Sequence, residues 1–220
     1  SEKIGPSEIY VIWEGQGSAK KRHLYKEYKK SKKPKRLNRY YDDIPDSLSN
    51  QTNQISVIVK ALRFTPVRQL YVEGCEADDA IGYMCRYTLK ERRKVIVSSD
   101  HDYYQLLNDK TRIWSPTLKS LVDKQKVVDR YNIHPNNFCL AKCIVGDPSD
   151  NIKGAPGVGF KSLVKHFKEF QSEQECTIDQ LLESCNGKYQ EKQLKVFRSI
   201  LDNADVIRRN WRLVLLDMQN

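Results

Sequence analysis

Apolar and polar positions fall in blocks along this chain, and the blocks alternate between two periods. Short runs rich in β-branched and aromatic residues read as strands: Ile9–Trp13 (I-Y-V-I-W), Gln69–Val72, Val95–Val97 and Thr111–Ser115. Between them apolar residues recur at helical spacing. Ile55–Arg63 carries an apolar face suited to burial, and Ala77, Ile81, Met84, Cys85 and Leu89 mark an amphipathic helix from Glu76 to about Arg92. Strand, helix and strand through Val97 make a βαβ unit, which implies parallel strands. Asp100–Leu107 begins another helix, Asp123 is placed to N-cap Lys124–Tyr131, and Pro135–Val145 forms the next. A polar loop spans Asp42–Asn53. Past Gly146 a Gly/Pro-rich loop gives way to helices over Lys161–Phe170, Ile178–Cys185 and Gln190–Asn203. The pattern predicts one α/β domain, with a mainly parallel central sheet flanked by helices and a helical C-terminal region.

Composition narrows this picture. The 220 residues, 39% of them hydrophobic, suffice for one substantial core. No apolar run approaches the roughly 18 residues needed to span a bilayer, and no secretory pattern opens the chain. Six cysteines include no C-x-x-C pair, so they are expected to be reduced and mostly buried, as in a cytosolic-type protein. The net charge of +10 is concentrated. Residues 19–39 hold eleven Lys or Arg and one acidic residue, Glu27, which leaves 27 basic and 27 acidic residues elsewhere. That segment includes Lys20, Lys21, Arg22, Lys32 and Lys33 and is interleaved with Tyr25, Tyr28, Tyr40 and Tyr41. Such a segment suits contact with a nucleic-acid backbone and stacking on bases.

The candidate chemistry is acidic. Asp100 and Asp102 follow the apolar run K-V-I-V, at the carboxyl end of a strand, where ligands bind in open α/β sheets. Glu76, Asp78 and Asp79 open a helix, Asp147 and Asp150 lie in G-D-P-S-D-N, and Glu14 ends the first strand. Each has a plain structural reading: a helix cap, charge against a helix dipole, an Asx turn. Together, carboxylates without His or Cys select hard cations such as Mg²⁺ or Mn²⁺, and two such ions serve phosphodiester hydrolysis. An acidic centre beside a basic segment points to a metal-dependent nuclease. In N-I-K-G-A-P-G-V-G-F-K-S, Gly154, Gly157 and Gly159 precede a helix near Phe160, with Lys153, Lys161 and Lys165 alongside. This suits backbone amides facing a duplex phosphate in a helix-hairpin-helix.

Three motifs, E-A-D-D, S-D-H-D-Y-Y-Q-L-L and G-D-P-S-D-N followed by K-G-A-P-G-V-G-F-K, resemble in order and spacing those of the 5′-nuclease family. That family comprises flap endonucleases, phage 5′–3′ exonucleases and the 5′-nuclease domain of DNA polymerase I. The resemblance implies a PIN-like core over 1–220 with a helical arch (19–53) and a helix-hairpin-helix (146–170). It implies one metal group from Glu76, Asp78, Asp79 and Asp100, a second from Asp102, Asp147 and Asp150, and K⁺ at Gly154–Lys161. Tyr28 and Lys29 match the family's Y-K at the arch base, a catalytic position. The implied substrate is DNA with 5′ flaps or ends, extending to RNA/DNA hybrids, with a monomeric enzyme working among replication proteins. Two departures stand out: no strand bearing D-G precedes Ile9, and Glu14 stands where the family has Asp. A non-cleaving DNA-junction module is the alternative, and a PIN-like ribonuclease would not need the G-A-P-G-V-G turn.

Overall fold

The computed structural model describes residues 5–30 and 47–218. Strand β1 (Tyr10–Trp13) leads into helix α1 (Ser18–Leu24). Helix α2 (Leu48–Leu62) precedes β2 (Arg68–Tyr71), and α3 (Ala77–Tyr83) passes through a π-turn at Met84–Thr88 to reach β3 (Lys94–Val97). A 3-10 helix over His101–Leu106 follows, then a hairpin of β4 (Thr111–Ser115) and β5 (Ser120–Val122). Next come α4 (Lys124–Tyr131) and α5 (Phe138–Val145). Two short strands, β6 (Gly146–Asp147) and β7 (Ile152–Lys153), close a loop before α6 (Phe160–His166). The chain finishes with α7 (Ile178–Lys192), α8 (Lys195–Asp202) and α9 (Ala204–Val214).

The strands read from the sequence are present and pair in parallel. Tyr10 lies opposite Arg68 through to Trp13 opposite Tyr71, and Lys94 lies opposite Thr111 through to Val97 opposite Trp114. The single central sheet, however, is two pieces among the described residues. β1 pairs only with β2, while β3, β4 and β5 form a separate sheet. The apolar run of β3 implied burial on both faces, yet only Ile96 is buried, with Val95 and Val97 38% and 69% exposed. One face of that strand is left uncovered among the described residues.

Helix boundaries shifted for identifiable reasons. Ser47 accepts a hydrogen bond from the Asn50 amide, so α2 starts inside the stretch expected to be polar loop. Its Ile55, Val57 and Ile58 are exposed, in contrast to the buried face expected. α3 ends before Arg92 in the π-turn. The expected helix over Gln190–Asn203 is broken at Gln193, whose left-handed φ of 48° ends α7, and α9 was not anticipated. Asp123 does cap α4, accepting from the Lys126 amide. All six cysteines are free, four of them buried.

The core lies where α5 meets the C-terminal helices. Phe138, Leu140 and Ile144 of α5 pack with Leu163, Phe167, Phe197, Ile207 and Leu213, all essentially inaccessible. Asn210 of α9 is fully buried there and donates to the carbonyls of Cys143 (2.9 Å) and Lys153 (2.8 Å). It therefore fastens the end of α5 to the far strand of the β6–β7 loop. Gly154 completes the closure, because a Cβ there would fall 2.3 Å from the Ile144 carbonyl oxygen. Replacing Asn210 with Ala should leave two buried carbonyls without these donors and cost about 1–3 kcal/mol of stability. Urea unfolding checks this: the midpoint should fall at unchanged slope, and an unshifted midpoint would show that the amide holds nothing.

Candidate active site

The acidic residues sit just past strand and helix ends: Glu14 after β1, Glu76 after β2, Asp100 after β3 and Asp147 after α5. Glu76 occupies the cap position of α3, with Asp78 and Asp79 in its first turn. Glu76 and Asp79 are buried, although their sequence context is polar. Glu76 is surrounded by donors: Tyr28 Oη at 2.9 Å, Lys29 Nζ at 2.8 Å, Ser18 Oγ at 2.5 Å and Lys21 Nζ at 3.0 Å. Lys21 also reaches Asp79 at 2.9 Å, and Tyr103 donates to Asp78. Glu14 is exposed and accepts from the Ala77 amide at 3.3 Å, at the start of the same helix.

On the other side, Asp100 caps the 3-10 helix by accepting from the Asp102 amide, 2.9 Å. Asp147 forms an Asx turn, accepting from the Ser149 amide at 2.8 Å and its hydroxyl at 2.6 Å. The plain structural readings of these two residues therefore hold. They do not exclude more. One oxygen from each of Asp102, Asp147 and Asp150 lies within 4.8 Å of the other two. A divalent cation about 2.0–2.6 Å from each oxygen fits such a group, and the all-carboxylate donor set is that of a hard ion. Among the described residues, no such convergence occurs for Glu76, Asp78, Asp79 and Asp100, two of which are occupied by Lys21.

Lys29 connects the two clusters. Its ammonium lies 2.8 Å from Glu76 and 3.7 Å from Asp150, and its amide donates to the Asp150 carbonyl at 3.0 Å. Its left-handed φ of 52° is uncommon for a non-glycine residue, and such strain gathers at functional sites. Tyr28, expected as a stacking residue of the arch, is instead in the core at 2% exposure. Tyr25 is half-buried beneath the guanidinium of Arg209, 4.1 Å from its ring centre. Lys21 is buried against carboxylates, whereas Lys20 and Arg22, its neighbours, are exposed. Lys32, Lys33, Tyr40 and Tyr41 lie outside the described residues. Lys153, Lys161 and Lys165 are exposed around α6, and Gly159 stands at its cap position.

Sequence reasoning missed three supporting groups: Ser18, Tyr103 and Lys142. Lys142 donates to Asp147 at 2.7 Å and to Asp102. The available signal was a lone lysine inside the apolar run of α5. An open cleft of about 530 Å³, lined by Asp100, His101, Lys142, Asp147, Ser149 and Phe160, adjoins this group.

The titration behaviour follows from crowding and burial. Burial pushes Glu76 upward, but Lys21 and Lys29 outweigh it and hold the carboxyl at about 2. Burial pushes Asp79 up to about 6, with Lys21 opposing and Glu76 and Asp78 adding their repulsion. Burial, then the charge of Glu76, raises the Tyr28 phenol far above its ordinary range. For Asp147 burial acts upward, and Lys142 with Ser149 overcomes it, leaving the carboxyl lowered.

The chain is similar to known proteins in sequence and in fold. The family model described as 5′-3′ exonuclease, N-terminal resolvase-like domain, matches residues 1–132. The 5′-3′ exonuclease of Buchnera aphidicola subsp. Schizaphis graminum is 29% identical over 174 residues, covering 78% of this chain and 56% of that protein. The chain spans about half the length of the curated 5′-3′ exonucleases it matches, and about a fifth of matched DNA polymerases. The T5 D15 protein co-crystallised with metal ions shares the fold at a TM-score of 0.73 and 21% identity, covering 96% of this chain and 74% of that one. The bacteriophage T5 D15 flap endonuclease, in a pseudo-enzyme–product complex with DNA and metal ions, gives 0.71 and 24% over the same shares.

Because the ordinary carboxyl value for Glu76 is 4.5 and its folded value is about 2, its contribution to stability is present above pH 4.5 and lost as pH falls toward 2. Glu76→Gln should accordingly be less stable than the unmodified protein at pH 6. That difference should shrink as the pH falls through this window, read from urea midpoints at several pH values. A difference constant from pH 6 to pH 2 would contradict the paired-carboxylate assignment.

Proposed function

The chain belongs to the family of 5′-3′ exonuclease N-terminal, resolvase-like domains, and from that premise we propose that it forms the catalytic region of a divalent-metal-dependent, structure-selective 5′ nuclease. The observation that carries this reading is the convergence of Asp102 with Asp147 and Asp150, two stretches far apart in the chain, alongside the buried Glu76 and Asp79. Asp102, Asp147 and Asp150 would hold one Mg²⁺ or Mn²⁺; the second ion that the family resemblance implies would fall to Glu76, Asp78, Asp79 and Asp100, with Glu14 alongside, and would have to displace Lys21 from Glu76 and Asp79. Bound cations would supply Lewis acidity toward a phosphodiester and lower the pKa of water. The protein's own part is positioning. Lys29 lies between the two carboxylate groups, where an ammonium meets the negative oxygens of a phosphate held there. Tyr28 keeps its proton and orients Glu76 by hydrogen bonding.

The substrate assignment is DNA carrying 5′ flaps or ends, with RNA/DNA hybrids as a variant of the same class. Lys20 and Arg22 on α1, with Lys32 and Lys33, would follow the single strand. Gly154–Lys161, with Lys153 and Lys165, would hold the duplex backbone, and a K⁺ ion at this turn belongs to the same reading. A monomer acting among replication proteins is the working assembly. A junction-binding module without cleavage would keep the same DNA contacts, so a cleavage assay separates the two.

Two measurements test the proposal. In a flap-cleavage assay with Mg²⁺, Asp102→Asn should abolish cleavage while DNA binding stays within a few-fold. Cleavage at a near-normal rate would remove Asp102 from the centre. At the turn, Gly157 has a φ of +74°, and a Cβ there would meet no protein atom within 4 Å. The cost of Gly157→Val therefore comes from backbone conformation and from the approach of a ligand. Affinity for duplex-containing DNA should fall at least several-fold, and affinity for a single strand much less, at one fixed salt concentration. Equal losses in a folded variant would mean that the turn and α1 do not divide the DNA between them.

A further inference from the structure

Lys142 lies in the middle of α5, flanked by buried residues on both sides, with its side chain 8% exposed. An ammonium in such a place is costly unless paired and hydrogen-bonded. Its partners are Asp147 Oδ2 at 2.7 Å and Asp102 Oδ1. These are two of the three carboxylates that converge within 4.8 Å of one another. We propose that Lys142 is the resident counter-ion of this group: its ammonium and a divalent cation compete for the carboxylates of Asp102 and Asp147. The inference rests on the metal reading of the site and adds the residue that sets its affinity.

The physical argument has two sides. Three carboxylates at this separation repel strongly in a partly buried setting, so the metal-free protein needs positive charge to keep them together. Lys142 provides it from a rigid helix, which leaves the group assembled before any cation arrives. The same contact then opposes binding, because a cation can take up these two carboxylates fully only when the ammonium withdraws. The flexible four-carbon stem makes withdrawal feasible, and the side chain already lines the adjoining cleft. Lys142 is thus a positioning residue with opposite effects on the two states: it stabilises the metal-free protein and weakens cation binding.

That opposition separates this role from ordinary core packing. Mn²⁺ binding would be measured without DNA, by calorimetry or by the electron paramagnetic resonance of free Mn²⁺, alongside melting with and without the ion. Lys142→Met should melt lower than the unmodified protein in chelator, bind Mn²⁺ about ten-fold tighter or more, and gain more in melting temperature at saturating Mn²⁺. Lys142→Arg keeps the charge and should bind Mn²⁺ within about three-fold of the unmodified protein. If Lys142→Met folds only in Mn²⁺, that supports the proposal; failure to fold even at saturating Mn²⁺ counts against it. Mn²⁺ binding that Asp147→Asn abolishes, with no gain in Lys142→Met, would overturn the role of Lys142 alone. No Mn²⁺ binding by the unmodified protein or by Lys142→Met would overturn the metal reading itself.

Discussion

Repulsion among carboxylates is the constraint that the rest of this structure answers. Glu76, Asp78 and Asp79 share one turn, and Asp102, Asp147 and Asp150 bring oxygens within 4.8 Å of one another. Water cannot screen this well, because Glu76 and Asp79 are buried. Three lysines supply the compensating charge from different directions: Lys21 and Lys29 on the first cluster, Lys142 on the second, and Lys29 reaching toward Asp150 as well. Glu76 is held by both Lys21 and Lys29, whereas Asp147 has Lys142 as its ion-pair partner, and removing that lysine is the expensive way to break such a pair. The chain's own lysines thus offset part of this negative charge, three ammonium groups against six carboxylates, and the centre stays net negative.

Holding that charge balance requires a stiff frame, and the frame is built on α5. The helix is buried along nearly its whole length, which fixes the backbone from which the Lys142 side chain reaches the carboxylates. Its C-terminal end turns sharply into Asp147, and the β6–β7 pair brings the chain straight back. Asn210 from α9 bonds both limbs of that turn, and Gly154 lets them approach. The C-terminal helices, which carry none of the acidic residues of the site, are consequently what keeps Asp147 and Asp150 in register with Asp102. Packing and electrostatics here are one problem rather than two.

Much of this was legible in the sequence, and the misses have physical causes. Strand positions and parallel pairing followed from β-branched runs separated by helical spacing, because those patterns are local. The division of the sheet was not legible, since edge pairing depends on which strands become neighbours in space. The capped start of α2 could have been found from Ser47, but polar composition outweighed the cap signal. The acidic residues were identified by their positions after strand and helix ends; Asp102, Asp147 and Asp150 bring oxygens together, whereas Glu76, Asp78 and Asp79 share one helix start without such a convergence among the described residues. Their lysine partners were harder. Lys142 is one charge in an apolar octet, a visible anomaly, yet nothing local says which carboxylates it will meet.

The basic segment shows why counting charge finds a partner but not its use. Residues 19–39 hold the whole net charge, which suited a solvated element on nucleic acid. Its described residues, 19–30, face two ways. Lys20 and Arg22 point to solvent, whereas Lys21, between them, is buried on Glu76 and Asp79. Successive helical residues point about 100° apart, so a run of adjacent lysines must place some inward once the helix docks. Lys29 does the same through its left-handed backbone, with Tyr28 packed beneath it. The inward charges offset part of the acidic centre, and the outward ones stay in solvent. One helix turn therefore carries both the exposed Lys20 and Arg22 and a counter-ion of Glu76, which is why a count of charge along the chain could not separate the two.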